Sequence, residues 1–290
     1  MPEGHTIHAQ ARRLERAFAG RRVRVSSPQG RFAEAAALLD GTTYVASEAA
    51  GKHLFLHFDD DRIVHVHLGL IGAFSVLPHD HGDGDVPVRG AVRLRVRDDE
   101  HVADLRGPNL CALITPEDRD AVLARLGPDP LRDDADPERA WARIRRSGKP
   151  VAELLMDQAV VAGVGNVYRC EILHRGRVDP LTPGKELSRE AWEGIWADLE
   201  LLLPLGVAFG QILTMRDQVD DALDWIARSP QAVEEYTAGL TGDGLGEHFE
   251  RRFHVYKRTG EACRECGTPI RTQKIAGRYL YWCEHCQRGR

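Results

Sequence analysis

After Glu3, apolar Ile7, Ala11, Leu14, Ala17 and Phe18 recur at helical spacing until Gly20, which predicts one amphipathic helix over residues 4–19. From Arg22 to about Ile114 the period changes. Apolar positions there fall into short alternating or continuous runs at residues 22–26, 42–50, 53–58, 63–68, 73–77, 91–96 and 102–105. Many short strands separated by Asp, Gly and Pro predict a β-sandwich. Residues 127–137 are rich in Pro and Asp and mark a domain boundary. Helical spacing resumes at Pro137, with a short helix over 151–158, a turn at Gly163-Val-Gly165 and a second helix over 166–174. A longer helix runs from about Arg189 to Leu203, with Trp192, Ile195, Trp196, Leu199 and Leu203 as its core stripe. The chain is thus expected to be α+β in three parts: a sandwich over 1–127, a helical domain over 137–250 and a tail over 251–290.

The tail carries the clearest chemistry. Cys263 and Cys266 form one Cys-x-x-Cys pair, and sixteen residues later Cys283 and Cys286 form another. That spacing suits one tetrahedral, structural Zn2+ held by four cysteines, with a two-stranded hairpin between the pairs. Two disulfides are the competing reading. They are disfavoured because the N-terminus reads Pro2, Glu3 and then polar residues, without the basic and apolar stretches of a signal peptide. A reducing, cytoplasmic location is therefore expected, and Cys111 and Cys170 read as ordinary buried thiols.

Charge changes the picture only when it is divided along the chain. The net charge is -5, yet residues 251–290 hold ten Lys or Arg against three acids, a local +7. Residues 214–250 hold nine acids against two arginines, a local −7. A basic hairpin with Arg271, Lys274 and Arg278 beside Tyr279, Tyr281 and Trp282 suits nucleic acid. The Gly163-Val-Gly165 turn strengthens this, since free N–H groups at the following helix start favour phosphate. Membrane association is not expected, because the longest apolar run, Leu201 to Gly210, is too short and is interrupted by Pro204.

Pro2 becomes informative beside these features. A small second residue favours removal of Met1, which would leave a secondary amine able to attack a sugar C1′ without any side chain. Met1-Pro-Glu-Gly4, Gly51-Lys-His-Leu54, Leu155-Met-Asp-Gln-Ala159, Gly163-Val-Gly-Asn166 and the four-cysteine hairpin follow one another in the order found in the formamidopyrimidine-DNA glycosylase and endonuclease VIII family. The resemblance runs from Pro2 to Cys286. It implies a helix–two-turn–helix motif in the helical domain, a zinc finger, and a monomer that binds double-stranded DNA containing a damaged base or abasic site. It also implies a bifunctional glycosylase and abasic-site lyase working by β,δ-elimination.

Position by position, Pro2 resembles the family's nucleophile, Glu3 its proton-shuttling carboxyl group and Lys52 its phosphate-contacting proton donor. Asn166 resembles the phosphate-binding turn asparagine, Arg125 a DNA-contacting arginine and Arg278 the finger arginine that assists δ-elimination. Lys274 is a further DNA contact on the basic hairpin. In the His67-Leu-Gly-Leu-Ile-Gly72 loop, Leu70 and Ile71 match the wedge that fills the gap left by a flipped base, and sandwich core is an equally good reading of both. Gly69 stands where endonuclease VIII proteins tend to have a polar residue.

The branch is indicated by Met1-Pro-Glu-Gly-His5 and by Asp104-Leu-Arg-Gly-Pro-Asn109, which lacks the second arginine and the phenylalanine of the purine-type enzymes. Both features are similar to actinobacterial endonuclease VIII and imply oxidised pyrimidines as substrates. A DNA-damage or junction-binding protein without catalysis is the alternative, and Pro2, Glu3 and Lys52 together argue against it. A zinc-dependent hydrolase is excluded by a ligand set that leaves no open position for water. His53, His57, His65 and His67 are explained as solvent-facing or hydrogen-bonded strand residues.

Overall fold

The computed structural model describes residues 2–79, 86–240 and 242–288; Met1 and Arg290, invoked above, lie outside them. Two compact units share the chain: Met1–Arg125 with Glu234–Gly246, and Leu126–Val233 with Glu247–Arg290.

The first unit opens with α1 (Gly4–Phe18), β1 (Arg21–Arg22), β2 (Arg24–Ser26) and α2 (Ala33–Leu39). Strands β3 (Thr43–Ala50), β4 (His53–Phe58), β5 (Arg62–His67) and β6 (Ala73–Pro78) follow. The unit continues through β7 (Val92–Arg97), β8 (His101–Arg106), β9 (Leu110–Ile114) and α3 (Pro116–Leu123). The strands make two antiparallel sheets, in the orders β1-β3-β4-β5-β9 and β2-β7-β8-β6. The run over 22–26, expected as one strand, changes sheet at Val23: Arg22 pairs with Thr43, whereas Arg24 pairs with Arg97. Tyr44, Leu54, Leu56, Phe74, Leu94 and Leu105 form the core, and α1 adds Ile7, Leu14 and Phe18 to it. Three elements of this unit escaped the pattern for a reason. β9 is a half-buried edge strand, α2 buries only Ala36 and Leu39 and α3 buries none of its residues, so none shows a clear apolar period.

The second unit holds α4 (Pro137–Ile144), α5 (Val151–Leu154), α6 (Asn166–Arg175), α7 (Arg189–Phe209), α8 (Arg216–Arg228) and α9 (Pro230–Gly239), whose end belongs to the first unit. The hairpin β10 (Arg271–Ile275) and β11 (Arg278–Trp282) completes it. Residues 166–174 of α6 are all buried, so the other elements of this unit are arranged around that helix. The helix expected over 151–158 stops at Leu154. α7 runs past Pro204 to Gly210, whose φ of 62° ends it. Burial of Leu205, Val207 and Phe209 offsets the lost backbone hydrogen bond.

The acidic segment 214–250, expected whole within the helical domain, is divided between the units. Part of its charge is the outer face of an amphipathic helix, since α8 buries Val219 and Ala222 and exposes Asp221 and Asp224. Further on, the Val76 N–H donates to the Gly242 carbonyl at 3.0 Å, covering β6, the edge of its sheet. Gln10 Nε2 donates to the Asp243 carbonyl at 2.8 Å and Arg13 Nη2 to that of Gly242 at 3.3 Å. Burial and the nearby Arg16 lower the Arg13 pKa to about 10, so it stays charged at neutral pH.

Candidate active site and metal centre

In the first unit, Pro2 and Glu3 stand immediately ahead of α1. The backbone carbonyl of Glu3 accepts from the Thr6 and Ile7 N–H groups at 3.0 and 3.4 Å, which starts the helix. Its carboxyl side chain has no accessible surface, and Pro2 before it is half-buried. His5 follows, with a pKa pushed down to about 3 by burial, by the positive chain terminus and by His8, and is therefore neutral.

Lys52 was expected at a strand start and lies one residue earlier, in the two-residue turn between β3 and β4. Gly51 takes a φ of 58° there, as a hairpin turn with glycine at its first central position requires. Burial, then His65, His67 and Lys52, lower the His53 pKa to about 4; burial and Lys52 also lower that of His67. His53 Nδ1 lies 2.8 Å from His65 Nε2, and Phe55 stacks on the His65 ring at 4.7 Å. The three histidines are thus held neutral beside Lys52.

Between β5 and β6 the loop anchors on buried Leu68 and presents Leu70 at 49% exposure and Ile71 at 86%. Their position is solvent, not sandwich core. Gly69 has a φ of 70°, and any side chain placed on it would collide with the amide of Asn109. Asn109 therefore occupies the space that a side chain at position 69 would need. Arg125 is exposed just beyond α3, its N–H donating to the Val122 carbonyl at 3.1 Å.

In the second unit, Gln158 builds the turn before α6: its Nε2 donates to the Val164 carbonyl at 3.0 Å and its Oε1 accepts from Gly163 N–H at 3.0 Å. Gly163 has a φ of 88°, which only glycine adopts cheaply. Asn166 begins α6, but its side chain is buried and donates to the Tyr279 carbonyl at 2.9 Å, while its Oδ1 accepts from Arg169. The asparagine expected at phosphate thus bonds the finger through its side-chain amide. Lys274 is exposed on β10, in register with Tyr279 of β11. Arg278 follows a tight turn in which Ala276 and Gly277 both have positive φ, at 48° and 77°.

The metal-ligand spacing becomes geometry here. The sulfurs of Cys263, Cys266, Cys283 and Cys286 all lie within 4.8 Å of one another. Cys263 and Cys286 Sγ are 3.9 Å apart, and Cys266 and Cys283 Sγ are 3.4 Å apart. A tetrahedron with Zn–S bonds of about 2.3 Å needs sulfurs about 3.8 Å apart, so the four thiols fit one zinc ion. The finger is tied to α6 through Glu171, whose buried carboxylate accepts the N–H groups of His254, Val255 and Tyr256 at 2.8–2.9 Å. Thr214 Oγ1 adds a fourth bond at 2.9 Å. Sequence reasoning missed Gln158, Arg169 and Glu171. Gln158 carried a signal, because it belongs to the matched Leu155–Ala159 motif, whereas the others look like ordinary helix-surface residues.

Sandwich, glycine turn ahead of a buried helix, and four-cysteine finger together define a DNA repair glycosylase architecture. The formamidopyrimidine-DNA glycosylase N-terminal domain matches residues 1–108, the corresponding H2TH domain residues 126–217, and the zinc finger found in FPG and IleRS residues 260–289. Endonuclease 8 1 of Mycobacterium tuberculosis is 44% identical over 288 residues, covering 99% of this chain and 100% of that protein. Formamidopyrimidine-DNA glycosylase of Xanthomonas campestris pv. campestris strain 8004 is 32% identical over 301 residues, covering 99% and 100%. The crystal structure of MutM (Fpg) from Thermus thermophilus superposes with a TM-score of 0.72 at 25% identity, covering 99% of this chain and 98% of that one. Lactococcus lactis Fpg, solved in complex with DNA containing an abasic site, gives 0.78 at 21%, covering 99% and 100%, and shares the fold. The chain belongs to the formamidopyrimidine-DNA glycosylase and endonuclease VIII family of base excision repair glycosylases with lyase activity, in its actinobacterial branch. Its one metal is a structural zinc. No helix among the described residues is long and apolar enough to cross a membrane.

Proposed function

We propose that the chain excises oxidised bases, pyrimidines foremost, from double-stranded DNA and cuts the strand at the resulting abasic site by β,δ-elimination. The observation that carries this reading is the start of α1, where Pro2 precedes a carboxyl group, Glu3, with no accessible surface. The pyrimidine preference is supported by the Asp104–Asn109 segment, without the purine-type arginine and phenylalanine, and by full-length similarity to mycobacterial proteins named endonuclease 8.

With Met1 removed, the Pro2 nitrogen attacks C1′ and the glycosidic bond breaks, the base leaving with a proton relayed by Glu3. The attacking amine loses its proton, the C1′–O4′ bond of the sugar ring breaks and O4′ takes a proton from Glu3, which leaves an iminium whose positive charge acidifies C2′–H. Loss of that proton expels the 3′ phosphate, and a second elimination expels the 5′ phosphate, with Lys52 and Arg278 as proton donor and phosphate partner. Flipping a base costs a few kcal/mol. Leu70 and Ile71, both exposed, offset part of that by filling the gap. Arg125 and Lys274, both exposed, take backbone phosphates, and Asn166 sets the finger against α6. The same DNA binding would keep the protein at the nucleoid.

Borohydride trapping tests the reading. The protein is expected to form a covalent adduct with duplexes holding an abasic site or an oxidised pyrimidine, and Pro2→Gly or a Met1-retaining form to lose it while still binding DNA. Trapping that survives in the Pro2→Gly protein refutes the nucleophile. Trapping on the abasic duplex alone refutes the lesion class and leaves the lyase.

A further inference from the structure

The four cysteines complete a tetrahedral shell, yet a fifth donor atom stands beside them. His174, near the C-terminal end of α6, is buried, and its Nε2 lies 3.7 Å from Cys263 Sγ. Its Nδ1 is buried with no hydrogen-bond partner among the described residues, and the ring of His254 stacks on its face at 4.9 Å. A zinc-bound cysteine is a thiolate, which can only accept. The imidazole nitrogen facing it must then carry the proton.

We propose that His174 is an outer-sphere ligand of the zinc, its Nε2–H donating to the Cys263 thiolate and slowing release of the metal. Four thiolates on one dication leave an excess of two negative charges, and N–H donors spread that charge off the sulfurs. At Cys283 the backbone does this, the Cys286 N–H lying 3.5 Å from its Sγ. At Cys263 a side chain 89 residues away in sequence does it. The consequence is a linkage along α6. Asn166 and Arg169 near its N-terminal end hold the Tyr279 carbonyl, Glu171 holds residues 254–256, and His174 near its other end holds a metal ligand. Metal retention therefore depends on the same helix that holds the backbone of the finger.

A different role is open to the same atoms, because donor atoms of His174, Glu265 and Cys286 also lie within 4.8 Å of one another. In that case His174 would bind zinc directly in place of a cysteine. The experiment separates the two. Full-length zinc-loaded protein and its His174→Phe and His174→Gln variants are mixed with excess chelating dye and zinc release is timed. His174→Phe, a ring without an N–H, is expected to release zinc about ten-fold faster, the usual size of an outer-shell effect, and His174→Gln, which keeps an N–H donor, to restore most of the loss. Equal release from wild type and His174→Phe overturns the proposal. So does equal acceleration in both variants, which would mark a packing role. Cadmium-113 NMR of the wild-type protein with nitrogen-15 histidine needs no variant to fold: a protonated Nε2 coupled to cadmium through Cys263 is expected. A directly metal-bound or unprotonated Nε2 overturns the proposal.

Discussion

In the sandwich, Tyr44, Leu54, Phe74 and Leu105 have no accessible surface, and two sheets plus α1 close over them. In residues 251–288, the buried apolar side chains apart from cysteines are Val255, Ile270 and Leu280. The sandwich is large enough to be held by apolar burial, whereas a segment of roughly forty residues is at the size where burial alone fails. The finger is instead held by four sulfurs around one ion and by polar side chains of α6. Stability is global in the first region and local in the second.

Zinc removal should separate them most sharply. Structural zinc contributes about 10–16 kcal/mol of apparent binding free energy in small fingers, so Cys283→Ser or chelation should abolish hydrogen-exchange protection over residues 260–288. Protection in β3–β5 should persist; its loss would show that the two regions stand or fall together. Phe74→Ala is the converse test. It should lower the denaturation free energy of the sandwich by about 3–5 kcal/mol while leaving one zinc per chain by metal analysis.

Asn166→Ala should cost about 1–3 kcal/mol, because it leaves the Tyr279 carbonyl and Arg169 short of a buried partner. The loss should appear as faster exchange in β11 and weaker DNA binding, with the sandwich midpoint unchanged. Gln10→Ala removes one bond to the acidic segment, so a loss of about 0.5–1.5 kcal/mol is expected, read as faster proteolysis at 234–246.

A further effect is a pH dependence. Burial, with His67 adding to it, lowers the His65 pKa from 6.5 to about 4. As pH falls below 6.5 the unfolded chain takes up a proton that the folded one refuses until about pH 4, so stability is lost across that window and changes little above it. His65→Gln should flatten the fall in melting temperature between about pH 7 and pH 5. An equally steep fall in that variant would remove His65 from the account.

Much of this molecule is determined locally and could be read from residue order. The period of α1, the strands β3 to β8 and the Cys-x-x-Cys pairs each follow from neighbouring residues, because side-chain alternation and metal-ligand spacing are short-range properties. Pro2, Glu3 and Lys52 were legible as candidates only through the resemblance of their short motifs to those of a known family. What only the tertiary structure decided were matters of partnership across long separations. Leu70 and Ile71 could equally have been core until the loop was seen to turn them outward. That Asn166 donates to the carbonyl of Tyr279, 113 residues away, left no trace in residue order. Glu171 and His174 carry no signal in sequence, since a helix gives the same period whether its polar residues meet water, a backbone or a metal-bound sulfur. The acidic segment was visible as charge alone. Its division between two units depends on Gln10, Arg13 and the edge of β6, and hydrogen bonds of that kind form only after the sheets have closed.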